Sequence, residues 1–125
     1  MIYGIGIDIV DPSRIARSLE RYGEKFARRI LTESEWNEYN SKGQSAIFLA
    51  GRFAAKEALS KAIGTGLRYP VNLDFITIAH DDLGKPYFKF HPKLDQLICD
   101  QGITNHHLSI SDEKNLACAF VILEK

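Results

Sequence analysis

The stretch Arg52-Phe-Ala-Ala-Lys-Glu-Ala-Leu-Ser-Lys-Ala-Ile-Gly-Thr-Gly66 decides how this chain is read. It is the second half of a helical pattern that starts near Ser45 and runs to Ile63, where Gly64-Thr65-Gly66 stops it. Ile47, Phe48, Gly51, Ala54, Ala55, Ala58, Leu59 and Ala62 recur at helical spacing and form a broad apolar face. Arg52, Lys56, Glu57, Ser60 and Lys61 lie opposite, together with Leu49 and Phe53. Charges mixed with Leu49 and Phe53 predict the wall of a cleft rather than a plain solvated surface. Glu57 and Lys61 are four residues apart, and the ordinary reading is a helix-stabilising ion pair contributing ~0.2–0.5 kcal/mol.

Working outward, residues 2–10 read as a strand with Ile5, Ile7 and Ile9 on one face and Gly4, Gly6, Asp8 and Val10 on the other. Asp is depleted in strands, and an unpaired buried carboxylate is costly. The ordinary explanations of Asp8 are an arginine partner or a position at the edge of a sheet. The two glycines on its face predict that something approaches the backbone there. Asp11-Pro12 opens a helix carrying Ile15, Leu19, Tyr22, Phe26 and Ile30, with a break at Gly23. Thr32 to Glu35 has the form of a capping box, which gives Glu35 a structural role. Further on, strands are read at 73–79, 87–90, 107–110 and 116–123, with a hairpin turn at 81–86 and a short helix from Pro92 to Gln101. Segregated helices and hairpin-connected strands predict an α+β fold, a single domain over residues 1–125 with a mainly antiparallel sheet packed against the long helix.

The chain has 125 residues, 45% hydrophobic and 26% charged, and its 16 basic and 16 acidic side chains cancel. Any electrostatic partner is therefore encoded by local pattern. Cys99 and Cys118 have neither disulfide-framework nor metal-ligand spacing and read as two packed, reduced thiols of a cytoplasmic protein. No apolar run is long enough to span a membrane, and the N-terminal residues do not have the form of a signal peptide. Arg14, Arg17, Arg21, Lys25 and Arg28 recur along the first helix. The commoner reading is a solvated basic face; the functional one is a docking stripe for an acidic protein helix. Nucleic acid is disfavoured by the neutral total and the lack of interleaved aromatics. The adjacent His106 and His107 point to opposite faces of a strand, so they do not line one site, and no histidine spacing supports zinc. His80 and His91 read as structural.

Two carboxylates, Asp8 and Glu57, with Lys, Arg and Ser nearby, fit a Mg²⁺ ion shared with the phosphates of a substrate. That reading implies a phosphate-bearing cofactor and transfer to a hydroxyl or to water. Gly64-Thr65-Gly66 ends a helix instead of opening one and is not a phosphate loop, and Gly4-x-Gly6 is no dinucleotide fingerprint.

The segments Gly4-Ile-Gly-Ile-Asp-Ile-Val-Asp11, Phe48 to Gly66, Gly84-Lys-Pro86 and His107-Leu-Ser-Ile-Ser111, in this order and over essentially the whole chain, resemble holo-acyl-carrier-protein synthase, the short bacterial type of 4′-phosphopantetheinyl transferase. The resemblance implies transfer of 4′-phosphopantetheine from coenzyme A to a serine of apo-acyl carrier protein, with release of adenosine 3′,5′-bisphosphate. It carries Mg²⁺ ligation onto Asp8 and Glu57 and stabilisation of pyrophosphate charge onto Lys61. It places Arg52, Lys56, Ser60, Lys61, Gly64, Pro86, His107 and Ser109 around the coenzyme. For the base that activates the serine it leaves a metal-bound water, or Glu57 acting through a water. It also implies a homotrimer with sites at subunit interfaces, and gives the stripe of Arg14, Arg17 and Arg21 an acidic helical carrier as partner. Many relatives carry histidine where this chain has Asp112, so no role of that histidine transfers. Two other readings use the same residues: a Mg²⁺-dependent phosphohydrolase acting on a coenzyme or nucleotide, and a non-catalytic module that binds an acidic helical protein.

Overall fold

The structure, a computed structural model, describes residues 1–125. The fold is organised by one helix, α4, Ala46–Ile63, which lies across a three-stranded antiparallel sheet of β1 (Ile2–Val10), β5 (Leu116–Glu124) and β4 (Asn105–Glu113), in the order β1-β5-β4. The remaining helices are α1 (Pro12–Tyr22), α2 (Glu24–Ile30), α3 (Glu33–Ser41) and α5 (Pro92–Asp100). A 3₁₀ turn at Leu73–Phe75 leads into a separate antiparallel hairpin of β2 (Ile76–His80) and β3 (Pro86–Phe90). The single sheet expected from sequence is therefore two, of three and two strands. Between them sits the ring of His106, edge-on to Phe88 and Phe90.

Local chemistry accounts for the element boundaries. The Asp11 carboxylate accepts from the Ser13 N–H with Pro12 in the first turn, Ser45 accepts from the Phe48 N–H, and Gly64 ends α4 in the left-handed conformation at φ 95°. Gly23, at φ 65°, divides α1 from α2. Leu73 to Phe75 belongs to the 3₁₀ turn rather than to the following strand, and β4 runs farther than expected, to Glu113.

Alternation along β1 and β5 puts Gly6 and Val10 of β1, and Ala117, Ala119, Val121 and Leu123 of β5, against α4. The close approach is made by the glycines. A Cβ on Gly4 would overlap the carbonyl oxygen of Ala62, and one on Gly6 that of Ala58. What approaches the β1 backbone is thus the protein's own helix. The small residues Ala54, Ala55, Ala58 and Ala62 on α4 are the other half of the same contact, all buried. The opposite face of the sheet has no covering layer. Ile5, Ile7 and Ile9 are 57%, 52% and 61% exposed there, beside Leu116 and Phe120.

α4 is buried on more than its apolar face. Leu49, Lys56 and Ser60, expected along a cleft wall, are enclosed, whereas Arg52, also largely buried, does line a cleft. The Lys56 ammonium donates to the Glu35 carboxylate at 2.7 Å, to the Ile30 carbonyl at 2.6 Å and to the Leu73 carbonyl at 3.0 Å. Glu35 also accepts from the N–H groups of Thr32 and Ile78, each at 2.9 Å. This pair ties the end of α2, the start of α3, the 3₁₀ turn and β2 to α4. The capping role expected of Glu35 is present, and it is one part of a larger task.

Candidate active site

Asp8 and Glu57 meet where the second half of α4 crosses β1. β1 is an edge strand, so its outer ladder groups are free. The Lys61 ammonium fills that gap, donating to the Ile7 carbonyl at 2.9 Å and to Asp8 Oδ1 at 3.0 Å. Of the two ordinary explanations of Asp8, the edge position holds, while the partner is Lys61 and not the arginine expected. Lys61 is spent on Asp8, so the expected Glu57–Lys61 ion pair does not form, and Glu57 makes no ion pair with any side chain. Burial raises its pKa above the usual carboxylate range, and the nearby Asp8 raises it further, while Lys61 pulls the other way. A half-buried carboxylate with another acid beside it and no cation of its own is an electrostatic deficit.

That deficit is the test of whether a metal fits. No group of three or more His, Cys, Asp and Glu side chains is gathered anywhere in the chain, which excludes an all-protein cage. Mg²⁺ is usually held by one or two carboxylates, with waters and substrate phosphates completing its shell. Asp8 and Glu57 supply such a pair, and the ammonium already drawn to Asp8 shows that the locus attracts positive charge.

A second locus lies at the other end of α4. A cleft of about 710 Å³ is lined by Arg52, Phe48, Lys42, His80, Gly84, Pro86 and Asp112, among others. The Arg52 guanidinium lies 4.2 Å over the Phe48 ring and bonds Glu38 at 3.3 Å, and its Nε is buried without a partner. Burial, then the charge of Arg52, lowers the pKa of His80. His80, read as structural from sequence, thus belongs to this cleft. The signal was present in the hairpin, whose register sets His80 opposite Pro86. Lys42 and Asp112 carried no comparable signal.

The third locus is the uncovered face of the three-stranded sheet. His107 and Ser109 point outward there, opposite in sense to the buried Leu108. His106 faces inward, as strand alternation requires.

The remaining expected residues divide. Gly64 is exposed at the C-terminal end of α4. Lys56 does not belong to a coenzyme surface: it is 0% exposed, its three protons are taken by Glu35, Ile30 and Leu73, and burial lowers its pKa against the opposing pull of Glu35. Ser60 is also enclosed, its hydroxyl donating to the Glu57 carbonyl at 2.7 Å. Arg14, Arg17 and Arg21 line one groove together with Phe26 and Phe53, so the aromatic on the charged side of α4 sits under the basic stripe. Farther along that stripe, Arg28 instead stacks on Trp36 at 3.9 Å.

The model of the 4′-phosphopantetheinyl transferase superfamily matches residues 4–121. The holo-[acyl-carrier-protein] synthase of Nitrosospira multiformis is 69% identical over 125 residues, all of both chains, and that of Vibrio cholerae is 50% identical over 100% of this chain and 99% of its own. The crystal structure of the Neisseria meningitidis holo-[acyl-carrier-protein] synthase superposes with a TM-score of 0.97 at 50% identity, covering 100% of each chain. A Bacillus anthracis holo-(acyl-carrier-protein) synthase in complex with CoA (3′,5′-ADP) superposes with a TM-score of 0.80 at 43% identity, over 98% of this chain and 96% of that one. With its motifs, its α+β architecture and these full-length matches in agreement, this chain belongs to the 4′-phosphopantetheinyl transferase superfamily, among the holo-[acyl-carrier-protein] synthases.

Proposed function

We propose that this chain transfers 4′-phosphopantetheine from coenzyme A to a serine of apo-acyl carrier protein with Asp8 and Glu57 as the ligands of a Mg²⁺ ion, in sites that two subunits of a homotrimer complete. The observation that carries the metal reading is Glu57 itself, a partly buried carboxylate beside Asp8 with no ion-pair partner. When bound there with the coenzyme's pyrophosphate, the cation would polarise the attacked phosphoryl group and offset charge on the departing bisphosphate. Lys61, which pairs with Asp8, would offer the same pyrophosphate a mobile point charge. The acceptor serine's proton passes to Glu57 through a water, while the serine oxygen bonds phosphorus and the bond to adenosine 3′,5′-bisphosphate breaks. Arg52, with its unpartnered Nε, and the Gly84–Pro86 turn hold the nucleotide end of the coenzyme.

The trimer is supported by the division of these residues. Asp8 faces α4, whereas His107 and Ser109 lie on the other face of the same sheet, so one chain does not surround a coenzyme with all of them. A second copy brought against the exposed Ile5, Ile7, Ile9 and Phe120 would cover that face and supply what is missing. The carrier would dock on the groove of Arg14, Arg17 and Arg21, whose exposed guanidinium groups suit an acidic helix. No helix is long and apolar enough to cross a membrane. Both cysteines are free, with Cys99 exposed rather than packed as expected, and two unpaired thiols suit a reducing, cytoplasmic setting.

The deciding measurement is the mass of an apo-acyl carrier protein incubated with this protein, coenzyme A and Mg²⁺. A phosphopantetheine gain that disappears in EDTA and in Asp8→Asn supports the reading. Unchanged activity in EDTA would remove the metal from it, and coenzyme breakdown without a mass gain would make the protein a hydrolase.

A further inference from the structure

We infer that Glu124 is a positioning residue for His107: its carboxylate keeps the Nε2 proton of the imidazole and turns Nδ1 toward the ligand on the outer face of the sheet. The inference rests on the reading of His107 as a coenzyme contact and adds to it the group that sets how His107 works.

His107 Nε2 and Glu124 Oε1 are 2.5 Å apart. The ladder opposes Asn105 to Glu124 and His107 to Ile122, so the two side chains meet diagonally on the same outward face of β4 and β5. The Glu124 backbone is held in place, its carbonyl accepting the Thr104 N–H at 2.8 Å. The carboxylate is the only hydrogen-bond partner of the imidazole, which is 53% exposed. A histidine on an open strand would exchange between tautomers and swing about its side-chain torsions. A carboxylate on one ring nitrogen selects the tautomer protonated there and fixes the ring, leaving the other nitrogen to face the ligand. His107 in turn holds the Glu124 carboxyl below the usual range, so the acceptor stays ionised at neutral pH. A pair this exposed contributes little to stability. Its consequence is therefore expected in ligand binding.

The test is a double-mutant cycle on the full enzyme, read as the KM for coenzyme A and as kcat, with ¹⁵N spectra of the His107 ring. His107→Ala and Glu124→Ala are each expected to raise that KM about tenfold, with a smaller change in kcat, by analogy with the loss of other groups that orient a ligating histidine. Because Glu124 acts through His107, the double variant is expected to be no worse than His107→Ala alone. Glu124→Gln, whose side-chain oxygen still accepts the Nε2 proton, is expected to recover part of the loss. The ring spectra should show Nε2 protonated in the wild type and a tautomer mixture in Glu124→Ala. Additive single effects, or the same ring spectrum with and without Glu124, would overturn the inference. If His107→Ala leaves the coenzyme KM unchanged, the reading of His107 as a contact fails, and the ring spectra alone then decide whether Glu124 orients it.

Discussion

Glu57 has a cost in the metal-free protein that follows from where it sits. Burial and Asp8 raise its pKa above 4.5, so the unfolded chain releases the proton more readily than the folded one. The sign is that of a group whose ionisation opposes folding. Its protonated form is fully compatible with the fold below pH 4.5, and stability is lost as the pH rises through the folded value. Glu57→Gln is therefore expected to abolish transfer yet raise the Tm of the metal-free protein at pH 7 by about 2–4 °C, with the gain shrinking toward pH 4. Mg²⁺ should raise the Tm of the wild type and leave that of Glu57→Gln unchanged. Thermal melts with and without EDTA check both, and a less stable Glu57→Gln would contradict the electrostatic account. The neighbouring Lys56 behaves oppositely. Lys56→Met strands the Glu35 carboxylate in the core, and breaking a buried pair in this way costs about 3–5 kcal/mol. Urea unfolding of Lys56→Met and of Lys56→Met/Glu35→Gln should show the loss and then its partial recovery.

At the scale of elements, β1 against α4 is the contact that assembles the Asp8–Glu57 pair. Gly6 is set against the Ala58 carbonyl, a backbone atom that does not move without shifting the helix. Gly6→Ala is expected to cost about 1–3 kcal/mol through overpacking. It should also depress transfer more than any loss of folded protein accounts for, because Asp8 rides on the displaced strand; full specific activity per folded molecule would refute that coupling. The seam between the two sheets responds to acid. His106 is packed against Phe88 and Phe90 with its Nδ1 buried and unpartnered. Burial, with a smaller contribution from His107, lowers its pKa below 6.5. In that window the unfolded chain holds the extra proton, so stability is complete above pH 6.5 and falls as the pH drops through the folded value. His106→Phe should flatten the decline of unfolding free energy below pH 6.5. A smaller slope should remain from His80, which is shifted in the same direction. An identical pH profile in the variant would show that the seam does not titrate.

At the scale of the whole molecule, the uncovered sheet face and the placement of Asp8 and His107 on opposite faces of one sheet lead to two expectations. Phe120→Asp places a charge among the exposed isoleucines and should give a folded, inactive monomer by light scattering. If coenzyme sites are shared between subunits, Asp8→Asn and His107→Ala chains, each impaired alone, should regain part of the wild-type rate when unfolded together and co-refolded. In each mixed trimer one of the two mixed interfaces then pairs an intact Asp8 with an intact His107. Mixtures no more active than their parts would place the complete site within one chain.

The local signals were legible in the chain because they depend on neighbours in sequence. These include the cap at Asp11, the capping box at Thr32, the break at Gly23, the end of α4 at Gly64 and the alternation that separates His106 from His107. The carboxylates Asp8 and Glu57 stood out for a related reason, as charges in apolar elements, and the motif resemblance gave them a common purpose. Other assignments required the packed structure. The charged side of α4 reads the same in sequence whether solvent, substrate or other helices cover it. Only the placement of α2, α3 and the 3₁₀ turn shows that Lys56 is a core residue bound to Glu35 while Glu57, the next residue, is left without a partner. Likewise the glycines beside Asp8 announce a close approach but not by what. The sequence by itself determined the family, most of the elements and the two acids that stand out in them. Tertiary structure decided which charged groups neutralise one another, because burial and partner distance set the energy of a charge and neither is a property of sequence spacing.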